Sequence, residues 1–278
     1  MIPFDFEYYR PDMLGEALEL YRNLDSRGLK PLYFGGGTEI ISMARLNSIR
    51  TGAVIDIKSI PECNVLEMRE DQLVVGAAVN LTRVMESALF PLLGKSGGRV
   101  ADHTIRGKIT IGGNLCGKII YREAILPFLL AESEVIIAGP AGERKINIQE
   151  VFDQTMRLGP GELLIQVVTG NEYLSLPHNE VKKTRIDKID YPVVSIAALK
   201  KDGRIRVAVS GLCAFPFRSQ MIEEEINNQN LDLRERVANT IRHFPAPILS
   251  DIQASAEYRE FVYKNTLFKM IRELGEIS

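Results

Sequence analysis

Apolar residues along this chain fall into two kinds of run, one at helical spacing and one in short β-branched blocks. Leu14, Ala17, Leu18, Tyr21 and Leu24 recur at helical intervals, which predicts a helix over residues 11–24 with Asp12 as its N-cap. Strands follow at Pro31–Phe34 and Ala53–Ile57, with a short helix from Thr38 through Arg45 between them. A second unit begins near Glu67. It holds a strand at Gln72–Gly76, a helix from Asn80 or Thr82 towards Leu89, and another over Pro91–Val100. Next come a buried helix at Ile125–Leu130, a strand at Glu134–Ala138 and a turn at Gly139–Gly142. A loop–helix piece over Ile148–Phe152 and a closing strand over Glu162–Thr169 complete it. Residues 170–188 are polar, basic and without periodicity, and read as a domain boundary. After it, Val193–Ala198 and Arg204–Val209 flank Lys201-Asp202-Gly203, a hairpin signal. Two helices end the chain, one within Leu231–His243 and one near Ala254–Leu274. The second presents Tyr258, Phe261, Val262, Phe268 and Ile271 as its apolar face.

Two glycine stretches stand out of this pattern. Tyr33-Phe-Gly-Gly-Gly-Thr-Glu-Ile-Ile41 and Lys108-Ile-Thr-Ile-Gly-Gly-Asn-Leu115 each run from β-branched or aromatic residues into glycines, then a polar residue. Glycine lets backbone approach a ligand unobstructed, and successive amides in such a turn form a concavity for an anion. Two of them converging would hold a diphosphate with main-chain donors. Taken singly, a Gly-Gly after a strand is most often only a tight turn. Neither stretch is a P-loop, because no Gly-Lys-Ser/Thr follows. Neither has the G-x-G-x-x-G spacing of the dinucleotide fold, so any nucleotide here is bound by another architecture.

Composition narrows the partners. The 278 residues are 45% hydrophobic and 25% charged, and 34 Lys plus Arg against 36 Asp plus Glu leave a net charge of −2. That balance gives no support to nucleic acid or an anionic membrane as partner. The longest apolar run, Ala124–Ala131, is too short to span a bilayer, and Met1–Glu7 lacks the features of a signal peptide. A cytoplasmic location is expected. Cys63, Cys116 and Cys213 form no CxxC pair, and His103, His178 and His243 are far apart, so any metal centre is expected on another chain.

Five segments in register carry a resemblance: Tyr9–Asp12, Phe34–Glu39, Thr110–Asn114, Asp190–Ser195 and Ala254–Arg259. Together, over almost the whole chain, they resemble the FAD-binding medium subunit of the molybdenum hydroxylases, the xanthine dehydrogenase and carbon monoxide dehydrogenase type. The resemblance implies an α+β fold. A two-lobed FAD-binding domain of the p-cresol methylhydroxylase and vanillyl-alcohol oxidase type would occupy residues 1–174, with lobes of about 1–58 and 59–174. A smaller α+β C-terminal domain, an antiparallel sheet plus helices, would occupy 175–278.

It further implies that Gly35, Gly36, Gly37, Thr38, Glu39 and Ile40 wrap the FAD diphosphate. Thr110, Gly112, Gly113 and Asn114 would complete the cradle, with Ile105 nearby. Glu123 stands where the family usually has Asp, an acceptor for cofactor hydroxyls. Leu164 matches a position on the adenine side. Lys182 matches a lysine close to the flavin, with Lys183 as the alternative. No catalytic nucleophile or base is implied. One segment departs: Lys118-Ile-Ile-Tyr-Arg122 is bulky where the family has small residues, which puts cofactor access in question. The implied role is electron transfer from 2Fe–2S clusters on a partner subunit through FAD to NAD⁺ or another acceptor, with substrate oxidation on a molybdenum-cofactor subunit. Two alternatives are a free-standing flavin oxidoreductase of this fold and an assembly subunit that has lost FAD.

Overall fold

A computed structural model describes residues 1–186 and 189–276. Three larger sheets organise them, with a two-stranded fourth pairing Phe152–Asp153 with Thr155–Met156. The first is parallel and three-stranded, with Ala53–Asp56 between Glu7–Tyr9 and Leu32–Phe34. Its middle strand is fully buried, as a parallel strand covered on both faces must be. The second is antiparallel, in the order Leu66–Arg69, Gln72–Gly76, Leu163–Gly170, Glu134–Gly139, Gly142–Asn147. Leu163–Gly170 therefore lies in the middle of that sheet, not at its edge, and its residues are almost all buried. The third, also antiparallel, runs His178–Thr184, Pro192–Lys201, Arg204–Ser210, Phe217–Arg218.

Apolar side chains gather in two clusters. One is built from the first two sheets and the wholly buried Ile125–Leu130 helix; the other joins the third sheet to helix Ala256–Gly275. Ala197, Leu199 and Ala208 of the third sheet reach into the first cluster, so its other face packs there.

Several expectations are corrected. The first helix runs Leu14–Ser26, and Asp12 does not cap it; Met13 is the N-cap, and the Asp12 amide donates to Glu16. The polar stretch 170–188 contains a short helix, Asn171–Leu174, and an edge strand, His178–Thr184; Asp187 and Lys188 lie outside the described residues. Helix Gln220–Ile226, capped by Ser219, was not read from the sequence. The last helix buries Tyr263, Leu267, Met270, Ile271 and Leu274, while Tyr258 and Phe261 face outwards. No described helix is long and apolar enough to cross a membrane.

Candidate functional site

The first glycine stretch is a strand–turn–helix. Leu32–Phe34 ends in Gly35–Gly37, and helix Thr38–Arg45 begins at once. Gly37 is its N-cap with φ +70°, a left-handed conformation that suits glycine, and the Phe34 ring fills the place of any side chain there. The first amides of a helix have no partner within it. Here those of Thr38, Glu39 and Ile40 meet no protein acceptor among the described residues, and the Ile41 amide donates to the Gly37 carbonyl. This is an open row of donors at a positive helix end.

The turn is held from beneath by residues that the sequence did not single out. Lys58 Nζ donates to the Gly35 carbonyl at 2.9 Å and to Asp56 Oδ2 at 2.7 Å. Asp56 also accepts from the Lys58 amide and from the Tyr8 hydroxyl. Burial works against the Asp56 carboxylate, yet these bonds hold its pKa below the usual range. An Asp-x-Lys immediately after a buried strand was the available signal.

The second stretch differs from the expected turn. Lys108–Thr110 is not a strand, making only a bridge from Thr110 to Asn80, and Gly112 and Gly113 lie inside helix Ile111–Cys116. Thr110 is the N-cap, its hydroxyl accepting from the Gly113 amide at 3.1 Å. Most of the remaining amides are occupied as well: Ile111 donates to Val79, Gly112 to Ala77 and Asn114 to Thr110. Of this stretch only the Thr110 amide meets no acceptor among the described residues, so the open row of donors is at the first stretch. What the second offers is surface and side chains, including the Asn114 Oδ1, buried and without a partner.

The two stretches do meet. A Cβ on Gly36 would sit 1.7 Å from the Lys108 carbonyl oxygen, and one on Gly35 would sit 2.5 Å from Thr110 Oγ1. Their glycines permit this contact between backbones. Ile105, partly exposed, lies in helix His103–Arg106, whose Ile105 carbonyl accepts from the Lys108 and Ile109 amides. Leu164 is buried in the central strand of the second sheet and joins the first core cluster. The structure therefore brings Gly35–Ile40, Thr110 and its helix together, with Ile105 one turn away and Leu164 in the core.

The bulky segment begins at the surface, with Lys118 and Ile119 exposed, and turns inwards at Tyr121 and Arg122. Glu39 accepts from the Lys118 amide at 2.6 Å and from the Ile119 amide at 3.4 Å, tying residues 118–119 to the first stretch. Tyr121 is buried and stacks on Tyr191 with ring centroids 4.7 Å apart, and its carbonyl accepts from the Ser210 hydroxyl. Arg122 is 2% exposed with φ +37°. Its guanidinium lies over the Phe152 ring and bonds the Gln154 carbonyl, leaving Nε and Nη1 without partners. Burial lowers its pKa, opposed by the charge of Glu39.

Glu123, next in sequence, pairs with Lys182 at 3.0 Å, and both side chains are almost fully buried. Lys182 Nζ also donates to the Arg99 carbonyl at 2.9 Å. Lys183 is exposed. Glu123 comes from the first core cluster's side and Lys182 from the third sheet, so the pair bridges the two.

The structure fits an FAD in one respect directly. An unpartnered row of amides at a helix start supplies the donors that a diphosphate needs, and the second helix, whose N-cap meets that turn, carries a buried and unpaired Asn114 oxygen able to accept from a hydroxyl. Fold and site together are those of a chain able to hold a dinucleotide cofactor.

The chain belongs to the family described as FAD binding domain in molybdopterin dehydrogenase, whose model matches residues 4–169. It is 28% identical over 236 residues to the caffeine dehydrogenase subunit beta of Pseudomonas sp. (strain CBB1), covering 81% of this chain and 79% of that one. To the carbon monoxide dehydrogenase medium chain of Hydrogenophaga pseudoflava it is 27% identical over 173 residues, 60% of this chain and 59% of that relative. A solved chain of that organism's carbon monoxide dehydrogenase superposes with a TM-score of 0.86 over 98% of both chains at 22% identity. The last comparison shows the shared fold.

Proposed function

We propose that this chain is the electron-transfer subunit of a molybdenum hydroxylase-type complex. Electrons would enter from a 2Fe–2S subunit, itself fed by a molybdenum-cofactor subunit, and leave to NAD⁺ or another acceptor. On this reading residues 1–174 bind the flavin and 175–278 form the domain that closes on it. The observation that carries the reading is the open row of amides from Thr38 to Ile40, in a chain of this family.

Bound FAD supplies the exchange of electrons singly and in pairs; the protein supplies placement, electrostatics and exclusion of water. The Thr38–Ile40 amides and their helix end would neutralise the diphosphate. Thr110 and its helix would form the opposing wall, and Asn114 would accept from a cofactor hydroxyl. Lys182 would place a buried positive charge near the ring, favouring negative charge there, with Glu123 fixing its orientation.

The test is purification of the chain with whatever accompanies it. A yellow preparation carrying iron–sulfur and molybdenum subunits, and reducing NAD⁺ or another acceptor with the complex's substrate, is the expected result. A preparation that stays colourless after incubation with FAD overturns the reading. Turnover of a small substrate by the isolated chain favours a free-standing oxidoreductase instead.

A further inference from the structure

Strand His178–Thr184 turns three alternate residues, His178, Glu180 and Lys182, towards the other half of the molecule, as its period of two requires. His178 Nε2 lies 3.1 Å from Lys95 Nζ, on helix Pro91–Gly98. Glu180 Oε2 lies 3.3 Å from Nε of Arg99, the residue that ends that helix. Lys182 Nζ lies on the carbonyl of the same Arg99 and on Glu123. Arg99 therefore joins Glu180 to Lys182, by side chain to one and by backbone to the other. Of these groups the Proposed function uses only Lys182 and Glu123.

We propose that Glu180 is a positioning residue for the flavin site, acting through Arg99 to set the field in which Lys182 stands. The proposal rests on the reading of Lys182 and Glu123 as neighbours of bound FAD.

The Glu180 side chain is 4% exposed. The charged groups that act on it are Arg99 and Lys95 from the helix side, Glu123 from the loop before Ile125–Leu130, and Lys182 from its own strand. Burial lowers the pKa of His178, which leaves it neutral at pH 7. The opposite face of the strand meets helix Ala256–Gly275, where Asn179 bonds Glu273, so those charges face away. Burial pushes the Glu180 carboxyl up to about 7, with Glu123 adding to the rise and the three cations opposing it. Near neutrality, then, Glu180 takes up or releases a proton. When ionised, it and Glu123 face Lys182, Arg99 and Lys95; when protonated, Glu123 faces the same three cations alone. The field at Lys182 is more positive in the second state. Negative charge on a reduced flavin favours that state, so reduction draws a proton onto Glu180.

The test is a spectroelectrochemical titration of the FAD-loaded full chain as a function of pH. The flavin potential of the native chain should fall more steeply between about pH 6 and 8 than on either side, where Glu180 titrates. In Glu180→Gln the extra steepness is lost, and the potential at pH 8 lies above the native value while the two coincide in acid. Arg99→Gln, which removes the nearest cation and keeps the carboxyl, should move the steep region to higher pH; it also serves if Glu180→Gln does not fold. A Glu180→Gln curve parallel to the native one, or an unmoved Arg99→Gln curve, overturns the proposal. Lys182→Met separates this failure from that of the reading beneath it. If Lys182→Met changes potential and FAD content but Glu180→Gln does not, Glu180 alone is excluded. If Lys182→Met changes neither, the placement of Lys182 beside the flavin is wrong.

Discussion

Gly36 and the Lys108 carbonyl oxygen leave no room for a side chain between them, since a Cβ would lie 1.7 Å from that oxygen. Backbone on both sides must move to admit one. Gly36→Val should therefore lose FAD and also lose about 1–3 kcal/mol or more of stability, as overpacked sites do. Gly15 is the control: it lies in the first helix with nothing within 4 Å of its Cβ position. Gly15→Ala should gain about 0.5–1 kcal/mol and keep its flavin. Flavin absorbance and urea unfolding measure both. Full flavin content and native stability in Gly36→Val would contradict the packing described.

Thr110 has two tasks, capping helix Ile111–Cys116 and lining the contact with Gly35. Thr110→Ala should cost about 1 kcal/mol through the lost cap, and Thr110→Ser should recover most of it. If serine is no better than alanine in denaturant unfolding, the hydroxyl is not what matters.

Glu39 anchors the start of the bulky segment Lys118–Arg122. Glu39→Ala removes the acceptor for the Lys118 amide, a bond to a charged group worth about 1.5 kcal/mol at the lower end, because the site is only half-buried. Exchange of that amide with deuterium should accelerate about tenfold, while amides of the Leu163–Gly170 strand stay protected. Equal protection of Lys118 in both proteins would show that residues 118–119 are held by something else.

Asp56 predicts part of the acid response. Its folded pKa lies below the unfolded value, so its stabilisation is fully present above the ordinary carboxylate range and is lost as pH falls through the folded pKa. Asp56→Asn should flatten the acid limb of a stability–pH curve below about pH 4 and leave its shape near neutrality unchanged. The same variant leaves Lys58 with the Gly35 carbonyl and the Phe34 ring but no ion-pair partner, so FAD retention should fall. An unaltered acid limb would remove Asp56 from this role.

How far the sequence could be read depended on whether a residue's partner was local. The Lys201–Gly203 hairpin appears as expected, with Asp202 and Gly203 at φ +51° and +73°. Helix Thr38–Arg45 also follows directly from its own residues. Failures came where distant partners decide. The last helix packs Val262, Phe268 and Ile271 on the core as expected but turns Tyr258 and Phe261 outwards, and Arg259 lies on its buried side. It is fully buried, bonded to the Val193 and Gly211 carbonyls and to Asp251, and hydropathy counts it as exposed. Strand His178–Thr184 went unread for a related reason, since the face it buries meets charged groups rather than a hydrophobic core. The first glycine stretch was legible as a strand–turn–helix with open amides. In the second, Gly112 and Gly113 resemble a turn in sequence, and the bond from the Asn114 amide to the Thr110 carbonyl, with Thr110 as N-cap, puts them in a helix.

The Lys182–Glu123 bridge has a mechanical consequence. A chain nicked near Ser175 would yield two fragments, one left with an orphaned buried anion and the other with an orphaned buried cation. Neither can relax by repacking apolar neighbours. Their reunion would be drawn by opposite charge and slowed by added salt, so the ion pair acts as a key set beside the apolar contact that Ala197, Leu199 and Ala208 make.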